Sequence, residues 1–501
     1  MIPLPAATVD TTHDTGGLGG HPRGLTTLFF TEMWERFSYY GMRAILMLFM
    51  VKTAAEGGLG FDTKQAAAIY GTYTMSVYLL SILGGFIADN FIGARRAMVA
   101  GGVIIATGHF TMAVGSIPTF YAGLVLIAIG TGLLKPNIST MVGSLYSPED
   151  GRRDAGFSIF YMGINIGAFL SPLVTGYLAQ SDGWRAQLTS WGLNPAQSWH
   201  WGFGAAGVGM TLGLIVYMLQ RERLAHVGNA PAPEADGSGR PWGKLGLVAL
   251  GSLALIAAMK LSDTYPAVIL GLFAIQIGAI LFYGFRPDPD SKRMAAILVF
   301  FFAAEIFWAI FEQTGSSITL FADNLTDNTA FGQPFPSSWW QSVNSAWVIV
   351  LAPLFAWLWI TLGSRQPSSA MKFTLGLLFV ALSFVLMVPA AKLTAEGKVS
   401  PLWLIGLFFL QTTGEMLLSP VGLSTMTKLA PQRLVGLVMG IWFLASALGS
   451  KLAGVIAGEF KSDNPAELAS FFWQQALWVG VATVALFALV PWVKRLMGGV
   501  R

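Results

Sequence analysis

Four ionisable side chains and two tyrosines crowd one short part of an otherwise apolar run, Leu25 to Val51. In Thr31 to Arg43, TEMWERFSYYGMR, the residues Glu32, Arg36, Tyr39 and Arg43 recur at helical spacing and form one stripe, flanked by Glu35 and Tyr40. The stripe covers roughly 16 Å of helix axis, about half of a ~30 Å hydrocarbon core. Each such charge at the bilayer centre costs at least ~2.5–3.5 kcal/mol on insertion scales. Four of them need partners or water. A structural ion network gluing helices would meet that need, but four charges and two tyrosines on one face favour a helix that lines a polar transport pathway.

The run Glu32-x-x-Glu35-Arg36-Phe37-x-Tyr39-Tyr40-Gly41 resembles the first-helix signature of the proton-coupled oligopeptide transporter (POT/PTR) family, within the major facilitator superfamily. Phe160-Tyr161-Met162-Gly163-Ile164-Asn165-Ile166-Gly167 resembles the second signature, with Ala168-Phe169 where a small polar and an aliphatic residue are more usual. Asn165 can donate and accept, which suits an amine or a peptide carbonyl, and equally suits a bond between helices. Phe307-Trp308-Ala309-Ile310-Phe311-Glu312-Gln313 is also similar to the family. That resemblance implies that Glu312 is a proton site able to pair with Arg43. Glu305, Trp308, Glu312 and Ser316 form a second acidic stripe if the segment is one helix. Glu305 has no counterpart in the family pattern, and is expected as an extra titrating group or as a carboxylate facing water.

Lys135 stands directly before Pro136, where α geometry is disfavoured, so the helix is expected to be disturbed there. Its ammonium needs an anion, either a permanent Glu32 or Glu35 or a peptide carboxylate. Glu415 is an isolated carboxylate in an apolar run, with Ser419 one turn on. Tyr73, Tyr78, Asn344 and Trp442 match further pocket positions by resemblance. The family then implies a symporter of di- and tripeptides working by alternating access. Arg43 and Lys135 would hold the peptide carboxylate, and Glu415, Asn165 and Asn344 its amine. Glu32, Glu35, Arg36 and Glu312 would couple the proton. Tyr39, Tyr40, Tyr73, Tyr78, Trp308, Ser419 and Trp442 would complete the pocket. Symport of another small anion such as nitrate is the alternative, which an amine-binding Glu415 disfavours. A membrane enzyme or a nutrient receptor is more remote.

The elements that must position these residues are long and apolar. Of 501 residues, 54% are hydrophobic and 11% charged, against about 25% charged in a soluble domain, which marks a polytopic membrane protein. Apolar segments fall near 25–52, 67–88, 97–115, 119–144, 155–179 and 200–220, then 243–259 and 264–285, then 293–320, 338–361, 370–390, 401–427, 433–458 and 470–495. The expected architecture is all-α, a major facilitator fold of two six-helix halves plus two extra central helices, about fourteen spans, with the site at the midplane. The domains read as a flexible cytoplasmic tail 1–22, an amino-terminal bundle 23–222, a linker with two helices 223–290, a carboxy-terminal bundle 291–497 and a tail 498–501.

Arg and Lys cluster in alternate loops, at Arg95-Arg96, Arg152-Arg153, Arg221 to Lys244, Arg286 to Arg293, Arg365, Lys428 and Lys494-Arg495. The other side receives Lys52, Lys64, Arg185, Lys260, Lys392, Lys398 and Lys461. This asymmetry predicts an inner-membrane protein with both termini cytoplasmic. The loop Gly84 to Gly93 with Arg95-Arg96 resembles the superfamily's cytoplasmic signature, where Asp89 would cap or pair with cations as a latch. Gly71 stands where animal relatives carry a coupling histidine, and only Lys392 to Pro401 joins the ninth and tenth spans, both prokaryotic traits. With no cysteine, no Walker A motif and five histidines without metal spacing, neither metal nor cofactor is expected. The partners expected are peptides, protons and the lipid bilayer, with no nucleic acid, and the protein is expected to act as a monomer.

Overall fold

Inside a bilayer every backbone amide must find its partner within its own segment, so long apolar runs become helices. The computed structural model describes residues 14–147, 150–231, 241–265, 267–430 and 435–498. Its long helices are α1 Arg23–Val51, α2 Thr63–Ile87, α3 Ala94–Met112, α4 Ile117–Ser144, α5 Arg153–Gln180, α6 Ser198–Gln220, α7 Trp242–Leu261 and α8 Ala267–Gly284. They continue as α9 Pro289–Phe311, α10 Gln341–Leu362, α11 Ser369–Leu393, α12 Leu402–Leu429, α13 Val435–Ala457 and α14 Pro465–Leu496. By length and composition, 12 helices among the described residues suffice to cross a membrane. The other two long ones lie outside that count: α1, of 29 residues, carries Glu32, Glu35, Arg36 and Arg43 inside its apolar run, and α3, of 19, opens on Arg95-Arg96.

Packing groups the chain into two units, residues 1–45 with 79–253, and residues 46–78 with 254–501. The far ends of α1 and α2 thus belong with the carboxy-terminal helices, which a cut along the chain does not produce. In the first unit α3 lies against α4 and α6, and α5 against α6. A Cβ on Gly101 would lie 2.6 Å from the Gly130 carbonyl oxygen, so small residues set that approach. In the second unit α11 packs on α14 and α12, α9 packs on α13, and α8 of the extra pair lies on α9.

Several details differ from the sequence expectation. Residues 14–22, expected as part of a flexible tail, are tied down. The buried His21 ring bonds Tyr146 Oη through Nδ1 at 2.9 Å, and Arg152 Nη1 donates to the Asp14 and Gly20 carbonyls at 3.2 Å each. The rest of that tail, 1–13, lies outside the described residues, as do linker residues 232–240 and the end 499–501. Helix α4 runs unbroken through Pro136. Neighbouring groups take up the carbonyls a proline disturbs, and Asn137 Nδ2 donates to Leu133 O at 2.6 Å. The expected single span 293–320 breaks: α9 ends at Phe311, a 3-10 turn covers Glu312–Gly315, and a short helix Ser317–Leu325 follows. Strands β1 Thr329–Ala330 and β2 Gln333–Pro334 then form a hairpin, turned by Phe331 and Gly332 with φ of 52° and 77°.

Candidate functional site

In the first unit the charged stripe of α1 is buried and internally paired. Arg36 Nε lies 3.0 Å from Glu32 Oε1 and also forms an ion pair with Glu35. The guanidinium carbon stands 5.4 Å from the centre of the Tyr39 ring, and the Tyr39 and Tyr40 rings meet edge-on at 5.2 Å. Glu32, Glu35, Arg36, Tyr39 and Arg43 are all buried. Lys135 of α4 lies within electrostatic reach of Glu32. Two carboxylates, one guanidinium and one ammonium balance in formal charge, which lets the group persist in an apolar unit.

The signature glycines explain why this face is held so closely. A Cβ on Gly41 would lie 2.7 Å from Thr175 Cγ2, and Thr175 Oγ1 donates to Gly41 O at 2.9 Å, so α1 and α5 meet almost backbone to backbone. Asn165 sits on the same helix, buried, but its Nδ2 donates to Tyr161 O one turn back at 2.9 Å. Its Oδ1 is the atom suited to an ammonium.

In the second unit Asn344 and Glu415 come together across 71 residues: Asn344 Nδ2 donates to Glu415 Oε2 at 3.1 Å and to Thr412 Oγ1 at 2.9 Å. Glu312 lies near enough to Glu415 for the two carboxylates to repel. The 3-10 turn that carries Glu312 is braced by amides the sequence did not single out. Gln313 Nε2 donates to Gln475 Oε1 at 2.5 Å, Ser317 Oγ donates to Gln313 Oε1 at 2.9 Å, and Gln341 Nε2 donates to Thr314 O at 2.5 Å. Thr412 was also missed, although it stands one turn before Glu415 on the face that carries Ser419.

The predicted second acidic stripe is not one face. Ser316 has φ −130° and ψ −95°, outside any helix, and Glu305 bonds Gln276 of α8 instead of facing water. Trp308 packs where a Cβ on Gly449 would lie 2.5 Å from its Cβ, and its buried Nε1 has no hydrogen-bond partner among the described residues. The same holds for Ser419 Oγ. Trp442 lies over Gly422 and meets Phe373 at 6.2 Å, the surroundings of a packing residue. Tyr73 is buried and Tyr78 half-buried on α2.

One further expectation changes, and one residue gains a role. Asp89 makes no ion pair among the described residues; Arg95 instead donates through Nη1 to Ala225 O at 3.3 Å and Asn229 Oδ1 at 3.2 Å, gripping the linker. Lys451, which the sequence left without a role, is fully buried and bonds Asp263 Oδ1 at 2.5 Å and Thr72 Oγ1 at 2.9 Å. Its being a charge inside a span was the available signal.

The profile described as "POT family" matches residues 95–473. The peptide transporter YePEPT of Yersinia enterocolitica is 40% identical over 504 residues, covering 95% of this chain and 96% of that protein. The di-/tripeptide transporter of Lactococcus lactis is 38% identical over 503 residues, covering 96% and 98%. A solved structure of a mutant peptide transporter POT in complex with alafosfalin shares 40% identity at a TM-score of 0.83, over 97% of this chain and 98% of that one. Likeness at this identity and coverage carries the major facilitator fold with it. A multi-pass helical protein whose buried charges lie within its spans, and whose chain matches these transporters from end to end, is itself a transporter and not an enzyme: it belongs to the POT family.

Proposed function

We propose that the protein is a proton-coupled symporter that imports di- and tripeptides by alternating access. The observation that carries this reading is the buried Glu32–Arg36–Glu35 group on α1 with Lys135 beside it. A carboxylate held charged by a neighbouring cation takes up a proton when that cation is drawn away, because burial then favours the neutral form. A peptide carboxylate competing for Lys135 supplies such a change. Arg43 and Lys135 hold the peptide carboxylate. Glu415, presented by Asn344, holds its amine with Asn165 Oδ1, and Glu32, Glu35 and Glu312 carry the proton with Arg36 setting their affinity. The pairing of Asn344 with Glu415 supports the amine end of this assignment. The relatives named peptide and di-/tripeptide transporters support the substrate class.

The asymmetry of Lys and Arg between alternate loops supports an inner-membrane protein with both termini in the cytoplasm. The monomer is the working unit. Uptake of labelled dialanine into proteoliposomes tests the whole reading. Accumulation above the external concentration with an inward proton gradient, and equilibration without one, is the expected result. Equal uptake in both conditions would refute proton coupling, and no uptake in either would refute the substrate.

A further inference from the structure

The second unit carries a basic cavity lined by none of the residues assigned above to peptide or proton. A cavity of about 670 Å³ opens where α10, α11, α12 and α14 end, at the junction of α10 and α11. Its described lining includes three ammonium groups, Lys372, Lys428 and Lys494, and no carboxylate. Lys372 is buried and held in position, its Nζ donating to Gln366 Oε1 at 2.9 Å and lying 3.9 Å from the centre of the Trp359 ring. Lys428 is close enough to repel it. Neither Lys428 nor Lys494 has a hydrogen-bond or ion-pair partner among the described residues. The amino terminus of the 25-residue α11 also borders the cavity, with Ser368 as its cap, so backbone amides add partial positive charge there.

A basic cavity in the first unit shows what such cations do when acceptors are at hand. Arg95, Arg96 and Arg221 line a cavity at the α2–α3 junction, and the linker supplies carbonyl and amide oxygens to Arg95. In the second unit the lysine cavity instead opens beside an apolar surface. On α10 the side chains of Leu354, Trp357 and Ile360 are 54%, 65% and 81% exposed, and they lead along the helix to Trp359 and the cavity. A surface that turns from exposed apolar to concentrated cationic within one helix end fits a molecule with an apolar tail and an anionic head. Tryptophan at that boundary is the residue favoured at a bilayer interface.

We propose that this cavity binds the headgroup of an anionic phospholipid, its phosphate held by Lys372, Lys428, Lys494 and the α11 amino terminus, its acyl chains along α10. The leaflet, cytoplasmic, follows from the orientation proposed above; the binding itself does not depend on transport. Basic pockets at the cytoplasmic ends of membrane helices recognise such headgroups by charge.

The test is native mass spectrometry of the full chain from micelles holding equal amounts of phosphatidylglycerol and phosphatidylcholine. Phosphatidylglycerol adducts should predominate. The exposed pair Lys428→Gln/Lys494→Gln should lower that preference about tenfold or more, since each lysine near a charged headgroup contributes to binding. The pair Lys392→Gln/Lys398→Gln, which removes the same charge elsewhere, should leave it unchanged. Equal loss in both pairs would reduce the effect to net charge and overturn the proposal, as would an undiminished preference in the first pair. Abolition of the preference by millimolar inorganic phosphate would make this a site for free anions, and the lipid assignment would fall. Because adducts are counted without transport, this result stands apart from the uptake assay.

Discussion

Arg36 is the residue on which the α1 stripe turns. It contacts both carboxylates, and with its charge removed Glu32 and Glu35 face each other in an apolar unit. Breaking a buried ion pair from one side typically costs about 3–5 kcal/mol. Arg36→Gln should therefore lower the unfolding midpoint of the purified protein strongly, and adding Glu35→Gln should restore much of the loss. An unchanged midpoint in Arg36→Gln alone would mean the triad does not hold the helix. The poles of the peptide site allow a sharper comparison. A charge-assisted hydrogen bond to a terminus contributes roughly 1.5–3 kcal/mol, about one to two orders of magnitude in affinity. Glu415→Gln should cease to discriminate against N-acetylated dipeptides while still rejecting C-amidated ones, and Lys135→Gln should do the reverse. Competition assays with the two blocked peptides decide it, and parental selectivity in both variants would remove these charges from the site.

At the scale of elements, the extra helix pair is fastened to the second unit by polar contacts that a purely apolar hairpin would lack. Asp263, between α7 and α8, reaches Lys451, which also holds Thr72 of α2. Beside it α2 and α13 cross at Gly71 and Gly454, where a Cβ on Gly71 would lie 2.9 Å from the Gly454 Cα. A histidine at position 71 would therefore require the two helices to separate. Lys451→Met should destabilise the protein by about 3–5 kcal/mol, whereas Lys451→Met/Asp263→Leu should recover most of that. Additive losses in a double-mutant cycle would show that the pair is not coupled. The amino-terminal segment is fastened differently. Burial lowers the His21 pKa below its usual 6.5, the nearby Arg152 adds to this, and Asp150 opposes it. The folded form therefore prefers neutral His21. Its contribution is fully present above pH 6.5 and is lost as the pH falls through the lower folded value. Protection of the amides across residues 14–22, taken relative to the intrinsic exchange rate at each pH, should fall as the solution is acidified from pH 7.5 to about 5, and His21→Gln should abolish that step. A pH response that survives the substitution would assign it to another group.

For the whole molecule the coupled cycle is the property to test. Exchange between peptide-loaded vesicles requires reorientation with cargo but no net proton movement, whereas accumulation requires both. Glu32→Gln, Glu35→Gln and Glu312→Gln, made separately, should abolish proton-driven accumulation and retain some exchange. Glu305→Gln should be milder, because that carboxyl bonds Gln276 on α8. If all three variants still concentrate peptide, proton coupling lies elsewhere.

What the sequence determined by itself was local. Hydropathy over some twenty residues is enough to specify a membrane helix, and helical spacing is enough to put Glu32, Arg36, Tyr39 and Arg43 on one face. That Lys135 needs an anion was legible for the same reason, since a lone charge inside a span is costly, but which anion was not. Tertiary structure decided the partners and the breaks. Periodicity is blind to contacts between separate helices, so it could not join Asp263 to Lys451, 188 residues apart, nor Glu305 to Gln276 on the neighbouring helix. It also carried the helix of Glu305 straight through Glu312. The actual turn there is stabilised by Gln341 and Gln475 from other helices, contacts that exist only once those helices have packed.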